Sequence, residues 1–340
     1  MAAAGPRVAV CIGRFAPVQH HHCQTIEAQL AGHALVIVLC TGSTSARDVA
    51  NPWTLTQRLD GLRAALPDPR VVIVALADCW YDDPRWAALV ALTVGAACQR
   101  AGLAPEDAQI TVVGTERAGP DYYAMLFPRW QAGATGSSAW VPALAEALLL
   151  ATGAARGALL DTHCPPTAHG FISAGLEGEI GRELAAEAAF AVDYRRAWAS
   201  APYPPVFVTV DVLVRHQDRV LLVQRGRRPG LGLLALPGGF VGPGESLAAA
   251  AVRELCEETG LQIPAPAAGA GRVFDHPRRS RRGRIITHLF EFDLSVLPVA
   301  PVAVGGDDAA LALWLPRARV RAEDFFEDHY AILQVTLGLP

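Results

Sequence analysis

The chain carries, at residues 239–261, the stretch Gly239-Phe-Val-Gly-Pro-Gly-Glu245-Ser-Leu-Ala-Ala-Ala-Ala-Val-Arg253-Glu254-Leu-Cys-Glu257-Glu258-Thr-Gly260-Leu261. Ser246 is a suitable N-cap and Gly260 a suitable residue just after a helix C-terminus, so the stretch predicts a helix between them. A glycine-rich loop at 237–244 precedes this helix.

Three carboxylates share one sector of the predicted helix. Glu254 lies three positions before Glu257 and four before Glu258, and such spacings bring side chains together on a helix surface. Like charges placed so cost about 0.2–0.5 kcal/mol per pair. A hard divalent cation such as Mg²⁺ reverses that cost, because it prefers oxygen ligands. It can also neutralise a diphosphate and position an attacking water. A solvated acidic helix face is the alternative for three glutamates alone.

The whole stretch resembles the Nudix box, G-x5-E-x7-R-E-U-x-E-E-x-G-U, at every defined position. The resemblance implies hydrolysis at a phosphorus of a nucleoside diphosphate linked to a group X. The catalytic set that it implies is Glu254, Glu257, Glu258 and Arg253, with the three glutamates holding Mg²⁺ or Mn²⁺. Gly239, Glu245 and Gly260 would support the helix and its loop. The general base stays open between Glu257 and a carboxylate outside the box.

By further resemblance, the flanking sequence favours ADP-ribose as the substrate, with X as ribose 5-phosphate; NAD, other sugar nucleotides and dinucleotides stay open as alternatives. Similarity to Nudix enzymes that act on ADP-ribose extends over the segments 207–211, 235–239, 273–288, 306–308 with Trp314, and 325–330. It implies that the substrate is bound by Arg278, Arg284, His288 and Asp308. Arginine guanidinium groups can grip phosphates bidentately. An exposed basic loop or a nucleic-acid-binding patch is the alternative for the arginines between 278 and 284.

The first half of the chain alternates apolar strand-like runs with helical patterns. Strands are predicted at 7–12, 34–41, 71–76 and 109–113, and helices at 22–30, 55–65 and 86–101. This order predicts a parallel, doubly wound sheet. Ligands bind beyond the carboxyl ends of such strands, where the loops at Gly13 and Gly42 lie.

The loop after the first strand, Gly13-Arg-Phe-Ala-Pro-Val-Gln-His-His-His22, resembles the G-R-F-x-P-x-H-x-G-H motif of nucleotidyltransferases. With the segments 42–58, 78–86 and 122–130, nearly the whole chain resembles the bifunctional nicotinamide mononucleotide (NMN) adenylyltransferase/Nudix hydrolase family. The resemblance implies nucleotide binding by Gly13, Arg14, Phe15, His22, Gly42, Arg47, Asn51 and Arg58.

Three positions depart from the motifs of that family. Gln19 stands where the first His belongs, and His21 where the family has Gly. The family also has an Arg in a motif near the end of this domain, and Val141, in the stretch 136–141, stands at that position. We therefore expect adenylyl transfer to be weak or absent. A fully bifunctional NAD-synthesising enzyme, an ADP-ribose-sensing regulator without catalysis, and a scaffold remain as alternatives.

A proline-rich break divides the chain. A helical pattern over 178–198 ends at Ser200–Pro205, where three prolines cannot continue a helix. We expect a nucleotidyltransferase-like domain at 1–185, a linker helix and junction at 186–204, and a Nudix domain at 205–340. Together they predict an α/β protein, with a Rossmann-like parallel sheet followed by an α/β/α sandwich with a mixed sheet. Further strands are predicted at 206–215, 219–224, 285–294 and 310–315, and a last helix from near Ala322.

Composition excludes several classes of function. The formal net charge is −4 over 340 residues, which argues against a general nucleic-acid binder. All 29 basic residues are Arg, so a Walker A loop and Schiff-base chemistry are excluded. The 7 Cys form no C-x-x-C pair, and Met1–Pro6 lacks the basic region of a secretory signal.

No apolar segment reaches the ~20 residues of a membrane span. We expect a cytoplasmic protein whose partners are small nucleotides: ADP-ribose for the second half, and NMN, ATP and NAD for the first. Neither nucleic acid nor membrane is expected as a partner, and homo-oligomerisation stays open.

Overall fold

The computed structural model describes residues 5–115, 120–133, 141–264 and 271–339. The chain divides into two compact units, Met1–Ala186 and Glu187–Pro340. Among the described residues, no helix is both long and apolar enough to cross a membrane.

The first unit contains a parallel sheet in the order β3-β2-β1-β4-β5, as the sequence predicts. Its strands are β1 (Arg7–Gly13), β2 (Leu35–Cys40), β3 (Val71–Ala75), β4 (Gln109–Gly114) and β5 (Gln131–Ala132). Its helices are α1 (His20–Gln29), α2 (Leu55–Ala65), α3 (Asp83–Arg100), α4 (Pro120–Leu126), α5 (Leu144–Leu150), α6 (Gly153–His163) and α7 (His169–Leu176), followed by α8 (Gly178–Ala197) at the division between the units. Strand β5 and helices α4, α5, α6 and α7 were not predicted.

The core of this sheet explains its uninterrupted apolar strands. Leu35–Cys40 is buried at every position, as expected for a parallel strand with both faces covered. On one face, Val8, Val10 and Ile12 of β1 join a cluster that includes Val90 and Val94 of α3. The packing places the carboxyl ends of β1 and β2, and the loops that follow them, at one edge of the sheet.

The second unit contains a mixed sheet, which confirms the predicted fold class. Its strands are β6 (Val206–His216), β7 (Arg219–Arg225), β8 (Leu234–Ala235), β9 (Gly238–Phe240), β10 (Arg272–Phe274), β11 (Arg284–Asp293) and β12 (Ala309–Pro316), and its helices are α9 (Leu247–Thr259) and α10 (His329–Leu337). The order is β10-β11-β6-β7-β12, with β8 on β7 and β9 on β6. Strands β6 and β11 pair in parallel, and the other pairs are antiparallel.

Helix α9 has both ends where the sequence predicts them. The Ser246 hydroxyl accepts a hydrogen bond from the Ala249 N–H at 3.2 Å. Gly260 ends the helix in the left-handed region, at φ 71°, which glycine adopts without strain. Ala250, Ala251 and Leu255 pack against the β6 valines of the core. Small side chains on this face let the helix lie close to the sheet.

The last helix was predicted from near Ala322, and this was wrong. Ala322–Asp324 form only a single 3₁₀ turn, and α10 begins at His329. The Phe326 N–H instead donates to the Leu234 carbonyl at 2.9 Å, and the side chains of Phe325 and Phe326 are buried. Backbone pairing and aromatic burial therefore hold this segment extended where the apolar pattern alone suggested a helix.

We expect Gly175→Ala to destabilise the first unit by about 1–3 kcal/mol, the usual cost of overpacking a core. A Cβ there would lie 2.1 Å from the ring of Trp53, which is 2% exposed and donates to the Ile172 carbonyl at 2.8 Å. Thermal unfolding checks this. Gly157→Ala is the matched control, because a Cβ in that helix meets nothing within 4 Å. An equal melting temperature for both variants would contradict the packing argument.

Candidate functional site

Arg253 joins the glycine-rich loop to the acidic face of α9. Its Nη2 and Nε contact the Glu245 carboxylate at 2.6 and 3.0 Å, and Nη2 also donates to the Phe240 carbonyl at 3.2 Å. Its Nη1 donates to Glu254 at 2.8 Å and to Glu257 at 2.9 Å. The Arg253 hydrogen bonds, with the Gly242 N–H second, lower the pKa of Glu245 to about 2. Glu245 therefore stays ionised and holds the guanidinium in place.

The backbone before α9 is shaped around two of its carboxylates. A Cβ at Gly239 would lie 2.4 Å from Glu254 Oε1, so only glycine leaves room for that carboxylate. The Gly238 N–H donates to Glu258 Oε2 at 2.9 Å. Burial raises the pKa of Glu258 to about 8 and also raises that of Glu254. Removing these carboxylates from water therefore carries a free-energy cost that a cation would offset.

The donor set of α9 suits a hard divalent cation. Glu254 and Glu257 each place an oxygen within hydrogen-bond distance of the same Arg253 nitrogen, and Glu258 is the third carboxylate of the cluster. In the part of the chain that the structure describes, no three His, Cys, Asp or Glu side chains already converge on one point. Arg253 thus acts as the internal counter-ion, and carboxylate oxygens are the ligands that Mg²⁺ and Mn²⁺ accept.

Of the two arginines expected from sequence to be substrate ligands, Arg278 lies on the loop between β10 and β11, and Arg284 is the first residue of β11. Arg284 donates to the Asp275 carbonyl and lies 3.4 Å from the Asp275 carboxylate. The Arg278 side chain is exposed, and its backbone N–H donates to His276 Nδ1 at 3.2 Å. The structure does not bring Arg278 or Arg284 into the Arg253 cluster.

His288 and Asp308 occupy separate places around the same unit. The His288 ring packs on Phe290 with 4.8 Å between centroids. Asp308 pairs with Arg227 at 2.7 Å, and its carbonyl accepts from the Gly226 N–H at 2.7 Å. Asp308 therefore helps to hold the backbone just after β7.

A buried ionic network escaped the sequence analysis. Arg279 is 4% exposed and makes two hydrogen bonds to Asp328, at 2.9 and 3.0 Å. It also lies 3.6 Å from Asp211, which accepts from the Thr287 hydroxyl at 2.7 Å. His329 lies beside this network, with its Nδ1 at 4.0 Å from Asp211 Oδ1. The same Nδ1 accepts a hydrogen bond from the Leu236 N–H at 3.1 Å. One signal was available: Asp211 interrupts an apolar strand, where a charge requires a partner.

Two further arginines lie against one phenyl ring in this unit. The guanidinium carbons of Arg225 and Arg282 are 4.5 and 5.8 Å from the Phe326 ring centroid. Arg282 is also 5.4 Å from the Phe240 centroid. Burial first, and the neighbouring Arg282 charge second, lower the pKa of Arg225. The sequence could not predict that these two arginines lie close together, because Arg225 ends β7 and Arg282 lies in the loop before β11.

The N-terminal candidate residues gather at the carboxyl edge of the parallel sheet. Arg14 pairs with Asp78 at 3.1 Å, and a Cβ at Gly42 would lie 3.3 Å from Arg14 Nε. A Cβ at Gly13 would lie 2.2 Å from the Thr115 hydroxyl. Glycine at positions 13 and 42 therefore permits close approach of the loops that follow β1, β2 and β4.

Three other N-terminal candidates form hydrogen bonds that fix the backbone of the surrounding loops. Arg58 donates to the carbonyls of Arg14, Thr41 and Gly42 at 2.7–2.8 Å. Arg47 donates to the carbonyls of Pro52 and Gly175 at 2.6 and 2.7 Å. The Asn51 N–H donates to the Asp48 carboxylate at 2.6 Å. The structure thus gives each of these side chains or backbone groups a contact that shapes the loops.

The start of α1 shows what the altered motif does. The Gln19 amide exchanges two hydrogen bonds of 3.0 Å with the backbone of Val141, and His21 Nε2 lies 3.1 Å from the Thr115 carbonyl. His22 Nδ1 accepts from the Gln19 N–H at 3.0 Å, so its proton is assigned to Nε2. Burial, with His21 second, lowers the pKa of His22 to about 3, which keeps the ring neutral.

His22 Nε2 is buried without a hydrogen-bond partner among the described residues. The ring packs edge-on against Phe15 with 5.0 Å between centroids. Phe15 also lines a small cavity with Trp53 and Arg58. Within the stretch 136–141, which contains the counterpart of the family's Arg near the end of the domain, residues 136–140 lie outside the described residues.

Comparison with known proteins identifies the second unit. The model of the NUDIX domain matches residues 205–335. The ADP-ribose pyrophosphatase of Methanocaldococcus jannaschii is 36% identical over 127 residues, which cover 36% of this chain and 72% of that protein. The chain belongs to the Nudix family. Helix α9 and the loop before it lie within the matched residues and carry the Nudix box.

The likeness extends beyond the Nudix domain. A bifunctional NMN adenylyltransferase/ADP-ribose pyrophosphatase from Francisella tularensis, in complex with AMP and an Mn ion, superposes with a TM-score of 0.85 at 28% identity, over 98% of this chain and 99% of that one. A nicotinamide/nicotinic acid mononucleotide adenylyltransferase of Acinetobacter baylyi is 28% identical over 124 residues, 36% of this chain and 62% of that protein. The Nudix domain is therefore fused to an adenylyltransferase-like domain.

We expect the Nudix domain to lose stability in acid through His329. Burial lowers the pKa of His329 to about 3, from an ordinary 6.5. Protonation therefore favours the unfolded chain: this contribution is complete above pH 6.5 and declines as the pH falls towards 3, by at most about 1.4 kcal/mol per pH unit. The charged groups that act on the ring are Asp328, Arg279, Arg225 and Arg282.

Urea unfolding at pH 7 and pH 5 measures this contribution. His329→Asn keeps an acceptor for the Leu236 N–H but does not titrate, so its free energy of unfolding should fall less between the two pH values than that of the wild type. Equal decreases in both proteins would exclude His329 as a source of acid sensitivity.

Proposed function

We propose that the Nudix domain hydrolyses the diphosphate of ADP-ribose to give AMP and ribose 5-phosphate, with Mg²⁺ as the cation. One observation carries the proposal: Arg253 organises Glu245, Glu254 and Glu257 into a single hydrogen-bonded cluster. The similarity to ADP-ribose pyrophosphatases supports the choice of substrate.

The residues of the chain have separable tasks in this reaction. A cation bound by Glu254, Glu257 and Glu258 would neutralise the diphosphate and promote attack by water at phosphorus. Glu245 keeps Arg253 in register with the helix, and Gly239 leaves room for the Glu254 carboxylate. The Gly238 N–H fixes one oxygen of Glu258. Each of the three carboxylates is thus held by a separate contact before substrate arrives, and a bound cation would draw them to one centre, where fixed charges stabilise the transition state.

Purified protein should release AMP and ribose 5-phosphate from ADP-ribose when Mg²⁺ is present, and should stop when a chelator is added. Glu257→Gln should lower the rate by about 100-fold or more, because a catalytic metal site is worth several kcal/mol and each 1.36 kcal/mol is tenfold.

Glu291→Gln is the matched control, since Glu291 is exposed on β11, and it should keep the wild-type rate. Absence of both products with Mg²⁺ or Mn²⁺ would sink the ADP-ribose assignment and favour a sensor or another diphosphate substrate.

For the first unit we propose nucleotide binding with weak or absent adenylyl transfer. The Gln19 amide is engaged with Val141, and His21 lies at the Thr115 carbonyl. His22 Nε2 is left as a neutral donor without a partner in the described chain. A single neutral donor can bind a phosphate oxygen but contributes little to the charge stabilisation that transfer of an adenylyl group requires.

Calorimetric titration with ATP or NMN should therefore show binding, while incubation with both substrates and Mg²⁺ should form little or no NAD. His22→Asn should weaken nucleotide binding by up to about tenfold, the value of one neutral hydrogen bond. The titrations are best made on Glu257→Gln protein, in which we expect the Nudix domain to hydrolyse nucleotides much more slowly. Rapid NAD synthesis by the wild type would overturn this proposal and establish a fully bifunctional enzyme.

A further inference from the structure

A buried histidine holds the backbone that leads into the loop before α9. His329, the first residue of α10, accepts a hydrogen bond from the Leu236 N–H through Nδ1 at 3.1 Å. Burial lowers the pKa of His329 to about 3, so the ring is neutral and Nδ1 remains an acceptor. Leu236 comes two residues before Gly238, whose N–H donates to Glu258 Oε2 at 2.9 Å. The histidine therefore acts on the backbone that carries this donor.

Asp211 contacts the same backbone from β6. The main chain of Asp211 pairs with that of Gly238, and the Val212 N–H donates to the Pro237 carbonyl at 2.8 Å. A Cβ at Gly238 would lie 2.8 Å from Asp211 Oδ1, closer than two such atoms can approach. The segment 236–239 therefore lies directly against the strand, and a shift of Asp211 would shift it.

The buried ionic network connects these two contacts. Asp211 Oδ2 accepts from the Thr287 hydroxyl at 2.7 Å and lies 3.6 Å from Arg279 Nη2. Arg279 makes two further hydrogen bonds to Asp328, the residue immediately before His329. All five residues are buried, so water does not readily replace a partner that is lost.

The connection from this network to the acidic cluster is a backbone N–H. The Gly238 N–H binds one oxygen of Glu258 and so determines how the carboxylate is turned. Asp211 also lies close enough to act electrostatically on Glu258. Groups that orient a metal ligand in this way typically change metal affinity or activity by about 10–100-fold when they are removed.

We propose that His329 and Asp211 are positioning residues of the cation site, which hold the segment 236–239 from two sides and so fix the orientation of Glu258. Thr287 and Arg279 in turn fix Asp211. This role rests on the cation site of the proposed function, but it does not depend on which diphosphate compound is cleaved.

Direct binding of Mn²⁺ to the full chain, without nucleotide, tests this role. The electron paramagnetic resonance signal of free Mn²⁺ gives the dissociation constant, and the binding that Glu258→Gln removes is assigned to the site. His329→Leu should raise this constant about tenfold, because the Leu236 N–H loses its acceptor. Leucine and asparagine have nearly the same size, but only asparagine offers an acceptor. His329→Asn should therefore stay within about threefold of the wild type.

Thr287→Val tests the other side of the segment. It removes the hydroxyl that donates to Asp211 without changing any charge, and should raise the Mn²⁺ constant about threefold, the value of one neutral hydrogen bond. At saturating Mn²⁺, the KM for ADP-ribose should be unchanged in Thr287→Val and His329→Leu, because the network orients a cation ligand and not the substrate.

Val220→Ala is the control for a general loss of stability. Val220 lies near the start of β7 and is fully buried. Truncating its side chain leaves a core cavity and should lower the melting temperature, while the Mn²⁺ constant stays at the wild-type value.

Equal Mn²⁺ constants for His329→Leu and His329→Asn would overturn the positioning role, as would a constant for Val220→Ala raised as far as that for His329→Leu. The hydrolase assignment would then stand without it. Mn²⁺ binding that Glu258→Gln leaves intact would also overturn the role, because Glu258 would not be a ligand. If the expected binding pattern is found but ADP-ribose yields no products, the substrate assignment fails and the positioning role stands.

Discussion

The contact between Arg253 and the carboxylates around it is the constraint on which the Nudix site depends. A single guanidinium binds Glu245 of the loop and Glu254 and Glu257 of the helix. The loop is thereby locked to the helix face, and the acidic residues are kept together despite their repulsion. Hydrogen bonds to charged partners of this kind are stronger than neutral ones, which suits a site that must keep its shape before a cation arrives.

Behind that site, charge is buried in matched sets. Asp211 and Asp328 accept the Arg279 guanidinium, and the neutral His329 ring accepts a backbone N–H. A buried ion pair adds little net stability, but losing one partner is costly because it strands the other charge. The main effect of the network is therefore to fix the positions of α10, β6 and the loop 278–284 relative to one another. Its contribution to the free energy of unfolding is small by comparison. In the adenylyltransferase-like unit, the buried Arg58 guanidinium is satisfied differently, by hydrogen bonds to three backbone carbonyls.

Secondary structure was predicted correctly where residues close together in the sequence determine it. The caps of α9 and the uninterrupted apolar runs of β1 and β2 predicted those elements because nothing non-local opposed them. The last helix was misplaced because Phe326 pairs with Leu234, a partner more than ninety positions away that no window of sequence contains. The roles of Arg279 and Arg282 were missed for the same reason, because they depend on Asp328 and Phe326, which are distant in sequence and come close only in the fold.

The position of the acidic cluster along α9 has a thermodynamic consequence. Glu257 and Glu258 lie in the last turn, where the aligned peptide dipoles present partial negative charge. The negative charges of these carboxylates are therefore destabilised by the helix dipole and by mutual repulsion. A cation bound to them would offset both unfavourable contributions. Ligand binding to the native state alone raises stability with ligand concentration. With the cation proposed for these carboxylates, the free divalent-cation level of the surroundings would set how firmly this helix end, and the loop tied to it, is folded.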